Sequence, residues 1–309
     1  MTDPVIIYGA LRSGTTLLRL MMNAHPALHC PGESDFLVDF LEEKSGGSWG
    51  FDHEELSFDR IFGIGNLEVP WEAEGLDATR ALARQLAAKS PGMLVLILHR
   101  HLDRALAAFP QARIIHLLRD PRDIAQSSVG MGFAGNVYMG VSHWIKTETN
   151  WDSVVCGLEA NQHMEVRYED LITAPTEHLT RVCNFLRIDF DPAMLSYNKD
   201  STYSQPDPSL IEQWRRKQTN RNVSLIEGRL GPLLGRRGYQ PSGLPLERPG
   251  YLGNLTLRID NKIKNLKLAS QRYGTYDALA VRIARWLGLR GWHRRVKTRI
   301  DQKVVKFLK

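Results

Sequence analysis

The chain of 309 residues is poor in cysteine: Cys30, Cys156 and Cys183 are too few and too scattered for a disulfide framework. No Cys-x-x-Cys pair offers a zinc or redox site, and a reducing compartment fits that usage. No apolar run approaches the roughly 20 residues needed to span a bilayer. The N-terminus reaches its first β-like run, Val5 to Tyr8, within four residues and without the basic and apolar segments of a secretory leader. A cytoplasmic protein is the expectation. Internal repeats and low-complexity segments are also missing, and the length suffices for a full α/β core.

The scarcity that matters most is local. Gly9 to Thr16, G-A-L-R-S-G-T-T, has the spacing of a phosphate-binding P-loop, yet Thr15 stands where an ATPase or GTPase needs its lysine. The flanks suit the loop: V-I-I-Y reads as a strand, and Leu17 to Met22 starts a helical pattern. A phosphate there meets unpaired amides, the positive end of the helix dipole, the Thr15 and Thr16 hydroxyls and the Arg12 guanidinium. Lacking a lysine to bridge β- and γ-phosphates and an obvious strand-borne Asp for Mg²⁺, the loop reads as built to hold a phosphate rather than to cleave a triphosphate. No metal is expected.

A second motif supplies a second anion site. Ala112 to Leu118 is a near-continuous apolar run, as in a strand buried on both faces. It ends in R-D-P-R-D-I-A-Q-S-S, where Asp120 can cap a helix starting at Pro121. Arg119 then leaves the carboxyl end of a strand, the edge where open α/β sheets bind ligands, and Ser127 lies two turns into the helix. Taken alone, an Arg-Asp-Pro at a strand end is as readily a structural cap; beside a lysine-free P-loop it suggests a ligand with two separated phosphates.

The runs R-S-G-T-T-L-L (Arg12 to Leu18), N-A-H-P-A-L-H-C-P-G-E (Asn23 to Glu33) and L-L-R-D-P-R-D-I-A-Q-S (Leu117 to Ser127) resemble the sulfotransferases that use 3′-phosphoadenosine 5′-phosphosulfate (PAPS). The style is that of the protein-tyrosine and carbohydrate branches, and the likeness continues through V-R-Y-E-D-L (Val166 to Leu171) and Q-W-R-R-K (Gln213 to Lys217) to about residue 243. The resemblance implies a mostly parallel P-loop α/β sheet with helices on both faces. It implies a first loop, Arg12, Ser13, Gly14, Thr15, Thr16 and Leu17, that grips the 5′-phosphosulfate, and Arg119 with Ser127 on the 3′-phosphate. Sulfuryl transfer suits such a loop, because the moving group carries less charge than a phosphoryl group and donors on the leaving phosphate can replace a metal.

The resemblance places the catalytic glutamate on Glu33, which follows a Pro-Gly turn that can return a side chain towards the loop. A carboxylate paired with Arg12 or Arg19 is the alternative, and Asp35 is a poorer base. His25 before Pro26 reads as packing. The lysine that relatives carry ahead of the second strand is absent: the region reads L-I-L-H-R-H-L-D-R-A-L, Leu96 to Leu106. His99, Arg100 or His101 can take its place, with Arg100 favoured for its permanent charge; catalysis by Arg12 and Thr16 alone is the other reading. Glu169 and Asp170 read as a strand end and helix cap. Trp214 to Lys217 reads equally as a nucleotide contact or an exposed face, and Val129 to Tyr138 as an acceptor pocket or lid.

Charge is unevenly placed. Residues 249–309 hold 15 Lys or Arg against 3 Asp, so residues 1–248 hold 25 basic and 31 acidic groups. Gln240 to Gly250, rich in Pro and Gly, predicts a linker, hence a catalytic domain over 1–243 and a basic helical extension over 244–309. Within the extension, Leu252, Leu255, Ile259, Ile263 and Leu266 follow helical spacing, as do Leu279, Ile283, Trp286 and Leu287, then Val296, Ile300, Val304 and Phe307. Three basic amphipathic helices suit packing on the core or a homo-oligomer; peripheral contact of 252–309 with an anionic membrane is the alternative, and nucleic acid is not expected. The expected function is sulfuryl transfer to an acceptor hydroxyl, with a carbohydrate or lipid-linked glycan favoured. A P-loop kinase or NTPase and a non-catalytic nucleotide-binding or membrane-docking scaffold are the other classes.

Overall fold

A computed structural model describes residues 3–200, 205 and 207–304. The chain forms two compact units, one of Met1–Ile124 with His143–Gln213, the other of Ala125–Ser142 with Trp214–Lys309.

The first unit contains strands β1 (Val5–Tyr8) and β2 (Leu28–His29), an antiparallel hairpin of β3 (Leu41–Glu43) and β4 (Trp49–Phe51), and strands β5 (Met93–Leu98), β6 (Arg113–Leu118) and β7 (His163–Arg167). The central sheet is parallel throughout, in the order β2-β5-β1-β6-β7. Strand residues alternate between two cores: Ile6, Tyr8, Leu96, Leu98 and Ile114 enter one, Ile7, Val95, Ile97, Ile115 and Leu117 the other. That double burial is why these strands read as apolar runs without a polar face.

Helices cover both faces. On the second core lie α1 (Thr15–Asn23), through Leu18, Met21 and Met22, and the later helix Pro175–Leu186, through Leu179 and Val182. Leu76–Ala87 and Leu102–Ala108 cover the first core. Each fully buried Leu, Ile or Met contributes roughly 1.5–3 kcal/mol. The α/β class and the strand–loop–helix start expected from the sequence are what the structure has. In register, Tyr8 aligns with Leu98 and with His116, so the segments after β1, β5 and β6 leave one edge of the sheet.

The second unit includes α2 (Asn220–Leu230) and three basic helices, α3 (Tyr251–Tyr273), α4 (Thr275–Trp286) and α5 (Arg290–Val304), at the places the apolar spacing predicts. Phe307 lies outside the described residues. The stretch expected to be a linker lies against α2: Ser242 donates through its N–H and its hydroxyl to the buried Glu227, each at 2.9 Å, and the Glu247 N–H reaches Ser224 O at 3.2 Å. Residues 244–309 therefore share their unit with 125–142 and 214–243 instead of forming one alone.

Packing among the basic helices also differs from expectation. Buried apolar positions are Ala269, Ala278, Ala280, Ala284 and, of the predicted rows, Val296, whereas Leu252, Leu255, Ile259, Ile263, Leu279, Ile283, Trp286 and Leu287 are exposed. Alanine lets helices approach closely, and the buried Asp277, paired with two half-exposed cations, ties α4 to α5: it accepts from Arg299 Nε at 2.9 Å and Lys303 Nζ at 2.7 Å. The Lys303 hydrogen bond, joined by Arg299, holds the Asp277 carboxyl below the usual range.

Candidate active site

The loop after β1 turns tightly, with Ser13 N–H on Ala10 O at 3.0 Å and Gly9 N–H on Leu98 O at 3.2 Å. Arg12 has a φ of 75° and Gly14 one of 99°. The left-handed region costs a residue such as Arg12 about 1 kcal/mol, strain of the kind that collects at ligand sites. Glycine is required at 14 for two reasons, because a Cβ there would also lie 2.3 Å from the Tyr168 ring. Helix α1 begins at Thr15 with no side chain capping it, so its first-turn amides, from Thr15 to Leu17, have no partner within the helix. The Leu17 side chain itself belongs to the core.

Arg119 stands next to this loop. Its Nη1 donates to Arg12 O at 3.1 Å and its Nη2 to Leu210 O at 3.3 Å, while the guanidinium lies 4.1 Å over the Tyr168 ring. Tyr168 thus packs Gly14 on one side and supports Arg119 on the other, and burial raises its phenol above the ordinary value. The buried Trp144 donates Nε1–H to Arg119 O at 3.1 Å. Two donors stay unspent: Ser13 Oγ and Arg119 Nε are both buried without a hydrogen-bond partner. Orphaned donors of this kind, beside an uncapped helix start, fit the phosphate groups of PAPS.

The cap predicted at Asp120 is present. Its carboxylate accepts from the Arg122 N–H and Nε, each at 2.9 Å, at the start of the helix Pro121–Met131. Glu169 Oε1 accepts the Asp120 N–H at 2.9 Å, and burial pushes its carboxyl up. Its role is structural, but it lies in the first turn of the helix Tyr168–Thr173, whose cap position is Arg167, and not at a strand end. Ser127 lies on the helix starting at Pro121, in the part that belongs to the second unit.

Glu33 is exposed at the carboxyl edge of the sheet, where its backbone bridges to Ile97 and the Ser34 N–H donates to Ile97 O at 3.0 Å. His25 packs as expected, bonded to Asp189 O at 2.8 Å and to the Ala27 N–H at 3.0 Å.

Arg100, favoured from sequence to replace the absent lysine, is committed elsewhere. It pairs through Nε with Asp39 Oδ1 at 2.6 Å and lies 3.6 Å from Asp35 Oδ2. Its neighbour His99 reaches the loop, with Nε2 3.3 Å from Thr15 Oγ1. His99 is held by Asp35, which accepts from Nδ1 at 2.7 Å and from the main-chain N–H at 2.8 Å, and by Thr147, which donates to His99 O at 2.8 Å. Burial works against the Asp35 charge, but the bonds to His99 and the Arg100 charge outweigh it and hold the carboxyl below its ordinary value. Permanent charge is not what decides: Arg100 pairs with Asp39, while Asp35, bound to Nδ1 of His99, turns the other ring nitrogen to the threonine.

Two segments lie within the second unit. Trp214 is buried with Arg215 stacked 4.3 Å over its ring, and Arg215, Arg216 and Lys217 are exposed. The segment Val129 to Tyr138, expected as a lid or acceptor pocket, is bound to α3: Gly135 N–H donates to Asn261 Oδ1 at 2.6 Å and Asn136 Nδ2 to Leu257 O at 2.9 Å. Tyr168 and Trp144 had no assigned role from sequence; Tyr168 could have been marked, since it lies in V-R-Y-E-D-L.

The model of the sulfotransferase family matches residues 4–192. Curated relatives include protein-tyrosine sulfotransferase 1 of Danio rerio, 25% identical across 83% of this chain and 77% of that protein, and protein-tyrosine sulfotransferase 2 of Gallus gallus, 24% identical across 85% and 76%. Among solved structures, the sulfotransferase domain from the curacin biosynthetic pathway superposes with a TM-score of 0.57 at 21% identity, over 78% of this chain and 99% of that one. The sulfotransferase domain of the Synechococcus PCC 7002 olefin synthase gives 0.53 at 23% identity, over 74% and 95%. These two share the fold. With the family model spanning more than half of the residues, the chain belongs to the sulfotransferase family and is a PAPS-dependent enzyme.

Proposed function

We propose that the enzyme transfers the sulfuryl group to a phenolic hydroxyl, as in a tyrosine side chain, with Glu33 as general base. PAPS supplies the activated sulfuryl group. Arg12 and the amides from Ser13 to Leu17 hold the 5′-phosphosulfate, Arg119 takes the 3′-phosphate, and the observation that carries this reading is the pair of unspent donors, Ser13 Oγ and Arg119 Nε. Glu33 accepts the acceptor's proton as the new O–S bond forms. The S–O bond to the leaving phosphate breaks and the phosphate keeps the electron pair, its growing charge met by Arg12, Thr16 and the loop amides. Thr15, oriented by His99 and Asp35, completes that donor set, so His99 acts as a positioning residue where relatives use lysine.

The phenol is favoured for its acidity. Its pKa is about 10, far below that of an aliphatic alcohol, and an exposed carboxylate is a weak base. The names of the relatives agree with it. One observation supports a sugar instead: an open cleft of about 390 Å³ in the first unit is lined by Phe40, Phe51, His53 and Trp71 with Glu42 and Lys44, aromatic faces and charges that suit a sugar ring. A reducing, cytoplasmic setting belongs to the same proposal, since all three cysteines are free thiols.

Calorimetric titration with adenosine 3′,5′-bisphosphate, ADP and AMP tests the donor site. Binding should prefer the bisphosphate, and Arg119→Ala should weaken it about 30-fold, as for a lost charged hydrogen bond. Equal affinity for ADP would sink the two-phosphate assignment. Labelled PAPS offered with a tyrosyl peptide and with a glycolipid then separates the acceptors. Glu33→Gln should lower kcat at least about 100-fold at unchanged bisphosphate affinity.

A further inference from the structure

We infer that α3 and α4 form an interfacial surface that docks the enzyme on an anionic phospholipid bilayer. The inference rests on exposure and charge in the second unit and not on the acceptor reading.

On α3, Leu252, Leu255, Ile259 and Ile263 are 74%, 45%, 48% and 61% exposed and recur at intervals of three and four, which puts them on one face. Tyr251, 84% exposed, lies at the start of the helix on the edge of that face. At 100° per residue Arg258 and Lys262 run along one margin of the face and Lys267 along the other, all three exposed. Helix α4 repeats the plan: Tyr276, Leu279, Ile283 and Trp286 share an exposed face, Trp286 at 83%, with exposed Arg282 at its margin. Beside the α3 face an open groove of about 390 Å³ is lined by Met139, Leu255, Arg258, Ile259, Asn261 and Lys262, apolar walls with cationic rims.

Charge complementarity selects the occupant. Of the three acidic residues in 249–309, Asp277 is buried under Arg299 and Lys303, and Asp260 pairs with Lys264 at 3.0 Å. The outward charge is thus overwhelmingly positive, and it lies next to large apolar and aromatic side chains. Aliphatic rows, Trp and Tyr at the water boundary and margins of Lys and Arg are what a helix lying in an anionic headgroup layer requires. Nucleic acid would use the cations but leave the leucines and isoleucines in water. Among the described residues no helix is long and apolar enough to cross a membrane, so the contact would be peripheral.

Co-sedimentation of the full chain with vesicles of phosphatidylcholine, alone or with about one third phosphatidylserine, tests this. Binding should appear only with phosphatidylserine and fall with added salt. The triple variant Leu255→Glu, Ile259→Glu, Ile263→Glu should lose at least about tenfold in affinity. Lys262→Glu with Lys267→Glu, which disturbs no buried side chain, should do the same, with far-ultraviolet circular dichroism and transferase activity unchanged. No binding to the anionic vesicles, or equal binding by the parent chain and the charge-reversed pair, overturns the inference. So does a dimer by light scattering that the triple variant converts to monomer, because a second copy would then cover the face.

Discussion

The sheet-bearing unit and the basic helices use the same apolar periodicity to opposite ends. In α1 the periodic Leu17, Leu18, Met21 and Met22 are buried against the sheet; in α3 the periodic Leu252, Leu255, Ile259 and Ile263 are exposed while Ala269 is buried. An amphipathic pattern states that a helix has two unlike sides. It does not say which medium the apolar side meets. In the first unit that medium is a parallel sheet with two faces to cover; in the second, the buried apolar positions of the basic helices are four alanines and Val296, and the larger apolar rows of α3 and α4 stay exposed.

The contrast can be broken most sharply at Gly14. Gly14→Ala places a methyl group against Tyr168 in a left-handed backbone, and it should cost at least about 3 kcal/mol in chemical denaturation and abolish bisphosphate binding. Next, Leu18→Ala should cost about 3 kcal/mol through the cavity it leaves. Ile259→Ala, the same kind of truncation on α3, should stay within about 0.5 kcal/mol. Equal costs would show that the α3 face is covered in solution.

A smaller effect, in the first unit, depends on pH. The Asp35 carboxyl titrates lower in the fold than in the unfolded chain, so its contribution is complete above the unfolded value near pH 4 and is lost as pH falls through the folded value. The melting temperature of the parent chain should therefore drop more steeply below about pH 4 than that of Asp35→Asn. Parallel curves would remove the Asp35–His99 link from the account of the site.

Much of the site was legible because its parts are local. The loop Gly9 to Thr16, the cap at Asp120 and the arginine at a strand end are each determined by a few consecutive residues whose backbone geometry and hydrogen bonding are set by near neighbours. What relates distant segments was not legible. Arg100 looked like the cation for the leaving group, and only the fold brings Asp39 and Asp35 to it and leaves His99 on Thr15. Gln240 to Gly250 has the composition of a linker, and only Glu227, buried and accepting from Ser242, makes it part of a packed unit.

By itself, then, the sequence determined the parallel α/β sheet, the order of the loops that follow its strands and the three basic helices, since strand burial, loop conformation and helical periodicity all act over short stretches of chain. Tertiary structure alone decided which donors stay unspent, which cation is taken by a carboxylate and which apolar rows meet water, because each of those depends on residues far apart in the chain meeting in space.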